Sequence, residues 1–177
     1  MIERTRHTVG DSSHYFLLWG WAVFIGSMLQ YYLKVIAEYP HHYYAWLITP
    51  VALLVHILFL VRDKRRVRVK TFIGEASEYL WTAIGFSFLV FAFIFAKIGW
   101  QYCYPFYILL YAVGTFVSGR LIRFTPLVAG SIICFPLAAF TATAGENQQI
   151  LLLAAAILVS YIIPGHLLQI QYKSQRN

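Results

Sequence analysis

Long apolar runs, rather than any motif, constrain the fold of this chain most. Runs of about 20 residues with almost no charge recur along the sequence, and each would span the ~30 Å hydrocarbon core of a bilayer as an α-helix. Only 12% of the 177 residues are charged and 60% are hydrophobic. Because a soluble domain usually has about 25% charged residues, we expect lipid to surround most of the chain.

The sequence predicts an all-α membrane protein in which six transmembrane helices form a compact bundle. The predicted helices cover residues 14–36, 43–61, 71–97, 103–122, 126–143 and 149–171. Residues 1–13 and 173–177 are expected to be tails on either side of a transmembrane domain at 14–172. Because the first apolar run exceeds the ~7–15-residue core of a signal peptide, we predict that it is retained as a spanning helix. Pro50 and Pro164 are expected to kink or break their helices.

The distribution of basic residues predicts the orientation of the bundle. Six of them crowd into residues 62–70, namely Arg62, Lys64, Arg65, Arg66, Arg68 and Lys70. Short loops rich in Lys and Arg stay on the cytoplasmic side of a membrane. With both termini cytoplasmic, twelve of the fourteen Lys and Arg residues lie inside, and only Lys34 and Lys97 lie outside. We therefore predict an inner-membrane protein with its N- and C-termini in the cytoplasm.

The same basic loop accounts for the net charge of +7 without nucleic acid as a partner. Basic residues next to a membrane helix attract anionic lipid head groups, so the bilayer itself is the first expected partner. A cytoplasmic protein bound to the loop, or a second copy of the chain, is the further partner that we consider.

Carboxylates are absent from the predicted spans. Glu38 and Glu146 fall in predicted outer turns, and Glu75 and Glu78 lie at a helix start. Intramembrane proteases and metal-dependent hydrolases need paired acids, or His and Glu at coordination spacing. We therefore expect no catalytic residues, no metal and no cofactor, so that the protein is not an enzyme. Two cysteines do not make a disulfide framework.

Polar side chains at helical spacing give the candidate site. Tyr107, Tyr111, Thr115 and Ser118 share one face of the fourth predicted helix, and His56 lies within the second. Two interpretations of His56 remain open: a pH-sensitive gate or ligand contact, and a neutral histidine hydrogen-bonded to an adjacent helix.

Two functions fit these observations. In the first, the bundle is a small transporter or channel-like protein for a neutral or weakly charged solute, with the polar face as its pathway. In the second, it is a non-catalytic membrane sensor or anchor that binds a cytoplasmic partner through residues 62–70. Kinked helices and the polar face favour transport; the prominent loop and the lack of intramembrane charge favour the anchor.

Three segments, Phe16–Trp21, Gly114–Gly119 and Ser160–Gly165, resemble parts of a family of small six-helix bacterial integral membrane proteins. The similarity extends over most of the chain from about Tyr15 onward. It implies the six-helix fold, and it implies no activity, ligand or site residue because none is assigned to the family.

Overall fold

The computed structural model describes residues 13–64 and 72–174, which form six helices with no strand among them. The predicted all-α class is therefore confirmed. Helix α1 is Ser13–Tyr31 and continues as a π-helical turn, Tyr32–Ile36. Helix α2 is Ile48–Lys64 and follows a 3-10 segment, His42–Leu47. Helix α3 is Phe72–Ile98, α4 is Cys103–Leu121 after a 3-10 turn at Trp100–Tyr102, and α5 is Thr125–Thr141. Helix α6 comprises Glu146–Ile157, a π-helical turn, Leu158–Ile162, and Ile163–Ser174.

Four stretches of this fold are long and apolar enough to cross a membrane. They are Ser13–Ile36, His42–Arg62, Phe72–Ile98 and Glu146–Gln171. Helix α5 is apolar but shorter, and α4 is less apolar because tyrosines, a proline and Arg120 interrupt it. The helices thus have the length and composition of a membrane protein.

The buried core lies between α1, α4, α5 and α6. Ile108 of α4, Leu127 of α5 and both Ile150 and Leu153 of α6 have at most 1% of their surface exposed. Because lipid tails are as apolar as leucine, helices in a bilayer associate mainly through close packing. Small residues that let two backbones approach are therefore the decisive contacts.

The closest of these approaches joins α5 to α6 at Gly130. A Cβ atom there would lie 2.4 Å from the carbonyl oxygen of Val159 and 3.1 Å from the Cα of Ser160. Only glycine fits without moving backbone. Gly119 plays the same part between α4 and α5, because a Cβ there would lie 2.8 Å from Cγ2 of Val128.

Helices α2 and α3 lie at the periphery. In their apolar stretches only 11% of the residues are buried, compared with 56% in α6. Helix α2 packs against α1, and α3 packs against α4. Leu58, Leu89 and Phe93 each expose about two thirds of their surface, as expected of side chains that face lipid.

The start of α2 differs from the prediction. The residues expected to begin the second helix lie in the 3-10 segment His42–Leu47, which precedes α2. Pro50 is then the third residue of α2, in the first turn, where the missing N–H has no helical acceptor to lose. The hydroxyl of Thr49 donates to the Trp46 carbonyl at 2.7 Å. Pro50 therefore lies where the 3-10 segment passes into the α-helix, and the expected kink there stays a prediction.

Helix α6 also departs from the prediction at both ends. It begins at Glu146, so that residue belongs to the first helical turn and not to the preceding loop. Near Pro164 the helix is not broken. The π-helical turn Leu158–Ile162 comes immediately before it, and α-helix continues to Ser174. A π-helical turn shifts the backbone register and lets the helix pass a residue without an N–H.

The predicted loop 62–70 is partly helical. Arg62 and Lys64 lie in the last turn of α2. Arg65, Arg66, Arg68 and Lys70 lie outside the described residues.

The contact at Gly130 predicts a specific loss of stability. Gly130→Ala should lower the free energy of unfolding by about 1–3 kcal/mol, because the methyl group forces the α5 and α6 backbones apart. Thermal unfolding in detergent measures this effect.

Gly85→Ala is the matched control. No atom lies within 4 Å of a Cβ at Gly85 in α3, and alanine favours a helix interior over glycine by about 0.5–1 kcal/mol. Its thermal midpoint should equal or exceed that of the wild type. Equal midpoints for Gly130→Ala and the wild type would contradict the backbone contact.

Candidate functional site

Four hydroxyl-bearing side chains form a stripe along one face of α4. Tyr107, Tyr111, Thr115 and Ser118 are three or four residues apart, which brings them to the same side of an α-helix. Thr115 is fully buried, Ser118 and Tyr111 are at least nine-tenths buried, and Tyr107 is partly buried. The structure therefore brings together four of the five candidate pathway residues in what we call the α4 stripe.

Helix α3 covers the α4 stripe. The ring of Phe88 lies 5.1 Å from that of Tyr107 and 5.0 Å from that of Tyr111. Farther along, the indole N–H of Trp81 donates to the Ser118 hydroxyl at 3.1 Å. Gly114 makes room for this indole, since a Cβ there would lie 2.8 Å from Cη2 of Trp81. The stripe is thus closed by ring contacts and one hydrogen bond from α3.

Helix α6 adds Tyr161 to the site. Its ring lies 5.3 Å from that of Tyr111, 6.0 Å from that of Trp81 and 5.7 Å from that of Phe16 on α1. Side chains from four helices therefore meet around Tyr161. Its hydroxyl is buried and has no hydrogen-bond partner in the described part of the chain. Tyr161 was not predicted from the sequence, because one tyrosine in an apolar run gives no signal of its surroundings.

His56 lies apart from the α4 stripe. The indole N–H of Trp19 donates to Nδ1 of His56 at 3.2 Å, and the ring of Tyr15 lies 4.9 Å away. Both contacts are with α1, so His56 belongs to the joint between α1 and α2. A hydrogen bond to an adjacent helix is the second of the two interpretations drawn from the sequence.

A polar network that the sequence did not predict joins three elements around Gln30 of α1. Its side-chain carbonyl accepts two hydrogen bonds, one from the Trp46 indole at 2.8 Å and one from the Tyr104 hydroxyl at 3.0 Å. Its amide nitrogen lies 3.5 Å from Nδ1 of His42. Gln30 is 5% exposed, and buried amides need such partners. The signal in the sequence was a glutamine within an apolar helix, which predicts a partner but not its identity.

An ion pair lies at the same end of the bundle. The Lys34 ammonium, on the π-helical turn of α1, is buried and contacts the Glu146 carboxylate in the first turn of α6. A carboxylate at a helix N-terminus also interacts favourably with the helix dipole. The pair therefore fastens α1 to α6 and neutralises Lys34.

The remaining groups give no second site. Within residues 13–64 and 72–174, no group of three or more His, Cys, Asp or Glu side chains is placed to hold a metal ion. Cys103 and Cys134 are both buried and free.

No family model, no curated protein and no solved structure matches this chain. The resemblance of three segments to a six-helix family stays a prediction. Function is therefore argued from the residues themselves.

The Gln30 network predicts a second loss of stability. Gln30→Leu should lower the free energy of unfolding by about 1–3 kcal/mol, because it leaves the Trp46 and Tyr104 donors buried without an acceptor. Tyr104→Phe should cost less, since it removes one bond and leaves Gln30 its other donor. Thermal unfolding in detergent again gives the measurement.

Gln171→Leu is the control, because this glutamine is exposed and its replacement should change the midpoint little. The network would be irrelevant to stability if Gln30→Leu and Gln171→Leu had the same effect.

Proposed function

We propose that this protein spans a bacterial inner membrane six times and lets a neutral or weakly charged solute pass along the α4 stripe. The observation that carries the proposal is the position of the stripe. The rings of Tyr107 and Tyr111 and the Ser118 hydroxyl lie under α3, a helix that is itself mostly exposed. Hydroxyl-bearing side chains inside a bundle provide hydrogen bonds for a solute that leaves water.

Two features support six crossings with both termini in the cytoplasm. Helix α4 has 19 residues and α5 has 17, which gives lengths of about 29 and 26 Å at ~1.5 Å per residue, close to the ~30 Å hydrocarbon core. Of the two basic residues on the outer side in this topology, Lys34 is neutralised by Glu146. Because only these two of the fourteen Lys and Arg residues lie outside, the distribution of basic residues follows the positive-inside rule.

Helix α3 is the element that would open the pathway. Its main partner is α4, so it can move without separating the other helices. In the described arrangement Phe88 and Trp81 occupy the face of the stripe. Passage of a solute requires these side chains to leave that face, and the Trp81–Ser118 hydrogen bond stabilises the closed arrangement.

A cysteine on the stripe tests this proposal without knowledge of the solute. In a protein with Cys103 and Cys134 replaced by alanine, Thr115→Cys should react in membranes with a small water-soluble methanethiosulfonate. The reaction needs a hydrated thiolate, which the stripe provides when α3 moves. Replacement of Thr115 by cysteine should disturb the fold little, because among the described residues its hydroxyl bonds only to the carbonyl groups of Tyr111 and Ala112 in its own helix.

Val113→Cys is the matched control at nearly the same depth on α4. Its side chain is 38% exposed on the outer surface of the fold, where lipid excludes the reagent. We expect Thr115→Cys to react at least about tenfold faster than Val113→Cys, since lipid is a far poorer medium than water for the thiolate. Equal, slow reaction at both positions would contradict a solute pathway and favour the anchor function of residues 62–70.

A further inference from the structure

The Tyr161 hydroxyl is a buried polar group that the fold does not use. Tyr161 is 2% exposed, and no described residue shares a hydrogen bond with its hydroxyl. A buried hydroxyl without a partner loses its hydrogen bonds to water and gains none in return, and the bilayer offers no substitute. Phenylalanine would fill the same space with its ring and avoid this cost.

The polar atoms around Tyr161 are already engaged elsewhere. The indole N–H of Trp81 donates to Ser118, and the Ser160 hydroxyl donates to the Ala156 carbonyl at 2.7 Å. The rings of Phe16 and Tyr111 also lie against Tyr161, and Gly20 of α1 approaches its Cβ atom. One hydroxyl is thus available among several aromatic rings.

The local backbone is irregular at this position. Tyr161 lies within the π-helical turn Leu158–Ile162, and such turns occur often at functional sites. The preceding residues are held by the contact of the Val159 carbonyl with Gly130. Tyr161 follows two residues later, and its ring lies against rings of α1, α3 and α4.

One of the rings around Tyr161, that of Trp81, belongs to the peripheral helix α3. Phe16, Tyr111 and Tyr161 belong to α1, α4 and α6, which form the core. Among the rings around Tyr161, Trp81 is therefore the one that would move with α3, while Phe16 and Tyr111 stay in place.

We propose that Tyr161 binds the solute, and that the solute is a small uncharged molecule with an apolar, preferably aromatic body and one hydroxyl or carbonyl group. The phenolic hydroxyl forms the single hydrogen bond, and the rings of Phe16 and Tyr111, which stay in place, contact the body edge to face. A charged group finds no opposite charge near Tyr161 among the described residues that contact it. This inference rests on the proposed function, because it names the substrate class of that pathway.

A pair of photoactivatable probes tests the site in native membranes. One probe is a benzyl alcohol with a diazirine on the ring, and the other is the same aryl diazirine without the hydroxymethyl group. After illumination, mass spectrometry gives the labelling of peptides that contain Phe16, Trp81 and Tyr161. In the wild type we expect the alcohol to label them about three- to tenfold more than the hydrocarbon, the ratio that one neutral hydrogen bond provides.

Tyr161→Phe is the decisive variant. It removes the hydroxyl and keeps the ring, so its thermal midpoint should not fall, and its alcohol-to-hydrocarbon ratio should drop to about one, since the hydrogen bond is lost. Tyr79→Phe serves as the control, because Tyr79 is an exposed tyrosine of α3, and it should keep the wild-type ratio.

The outcomes separate this inference from the function on which it rests. A ratio that Tyr161→Phe leaves unchanged, or labelling confined to the exposed surfaces of α2 and α3, would overturn the site. If Thr115→Cys still reacted with the water-soluble reagent in that case, the pathway would stand with a different solute contact. If the probes labelled the residues around Tyr161 specifically but Thr115→Cys did not react, Tyr161 would bind a small molecule, and the proposal that a solute passes along the α4 stripe would be wrong.

Discussion

The arrangement of the bundle depends on the backbone contact between α5 and α6. Because Gly130 has no side chain, the Val159 carbonyl oxygen can approach it at a distance that no other residue allows. This contact fixes the rotation of α6 just where its backbone becomes π-helical. Two residues further on, the ring of Tyr161 contacts rings of α1, α3 and α4. The packing of α6 beside the candidate site therefore depends on one glycine of α5.

Against this core, α3 is held by a small number of specific contacts. Phe88 packs on two tyrosines of the α4 stripe, and Trp81 combines a hydrogen bond to Ser118 with ring contacts to Phe16 and Tyr161. Farther along α3, Phe95 is buried with its ring 5.5 Å from that of Phe106 on α4, whereas large apolar side chains such as Leu89 are exposed. In a bilayer, lipid replaces one apolar neighbour by another at little cost, so movement of α3 away from α4 loses mainly ring contacts and the Trp81–Ser118 hydrogen bond. By contrast, Gln30 and the Lys34–Glu146 pair fasten α1 to α4 and α6 at the other end of the molecule.

The helices could be predicted from the sequence because a helix surrounded by lipid must be apolar and about as long as the hydrocarbon core is thick. The predicted start of the fourth helix at residue 103 coincides with the start of α4, since Pro105 favours a first turn. Spacing alone also placed Tyr111 and Ser118 on one face. The two π-helical turns were not predicted, because their register depends on contacts between helices rather than on local preference.

The hydrogen-bond partners of individual polar residues could not be predicted from the sequence either. Gln30 bonds to Trp46 and to Tyr104, which is 74 residues away, and no periodic pattern specifies such a pair. His56 was singled out for its charge, yet its indole partner places it at a helix joint. Tyr161 carries the strongest sign of function through the absence of a partner within the described residues, a property that only the packed structure reveals.

The central claim is that α3 moves away from α4 while the core stays in place. It is tested most directly by the distance between spin labels at Leu89→Cys on α3 and Val113→Cys on α4, measured by double electron–electron resonance in lipid nanodiscs. A second pair, Val113→Cys and Ile132→Cys, reports the distance between α4 and α5; all three side chains are exposed. The account predicts a broad or bimodal α3–α4 distribution that shifts when benzyl alcohol is added, with a single unchanged distance for the α4–α5 pair. One narrow α3–α4 distance, unaffected by benzyl alcohol, would contradict it.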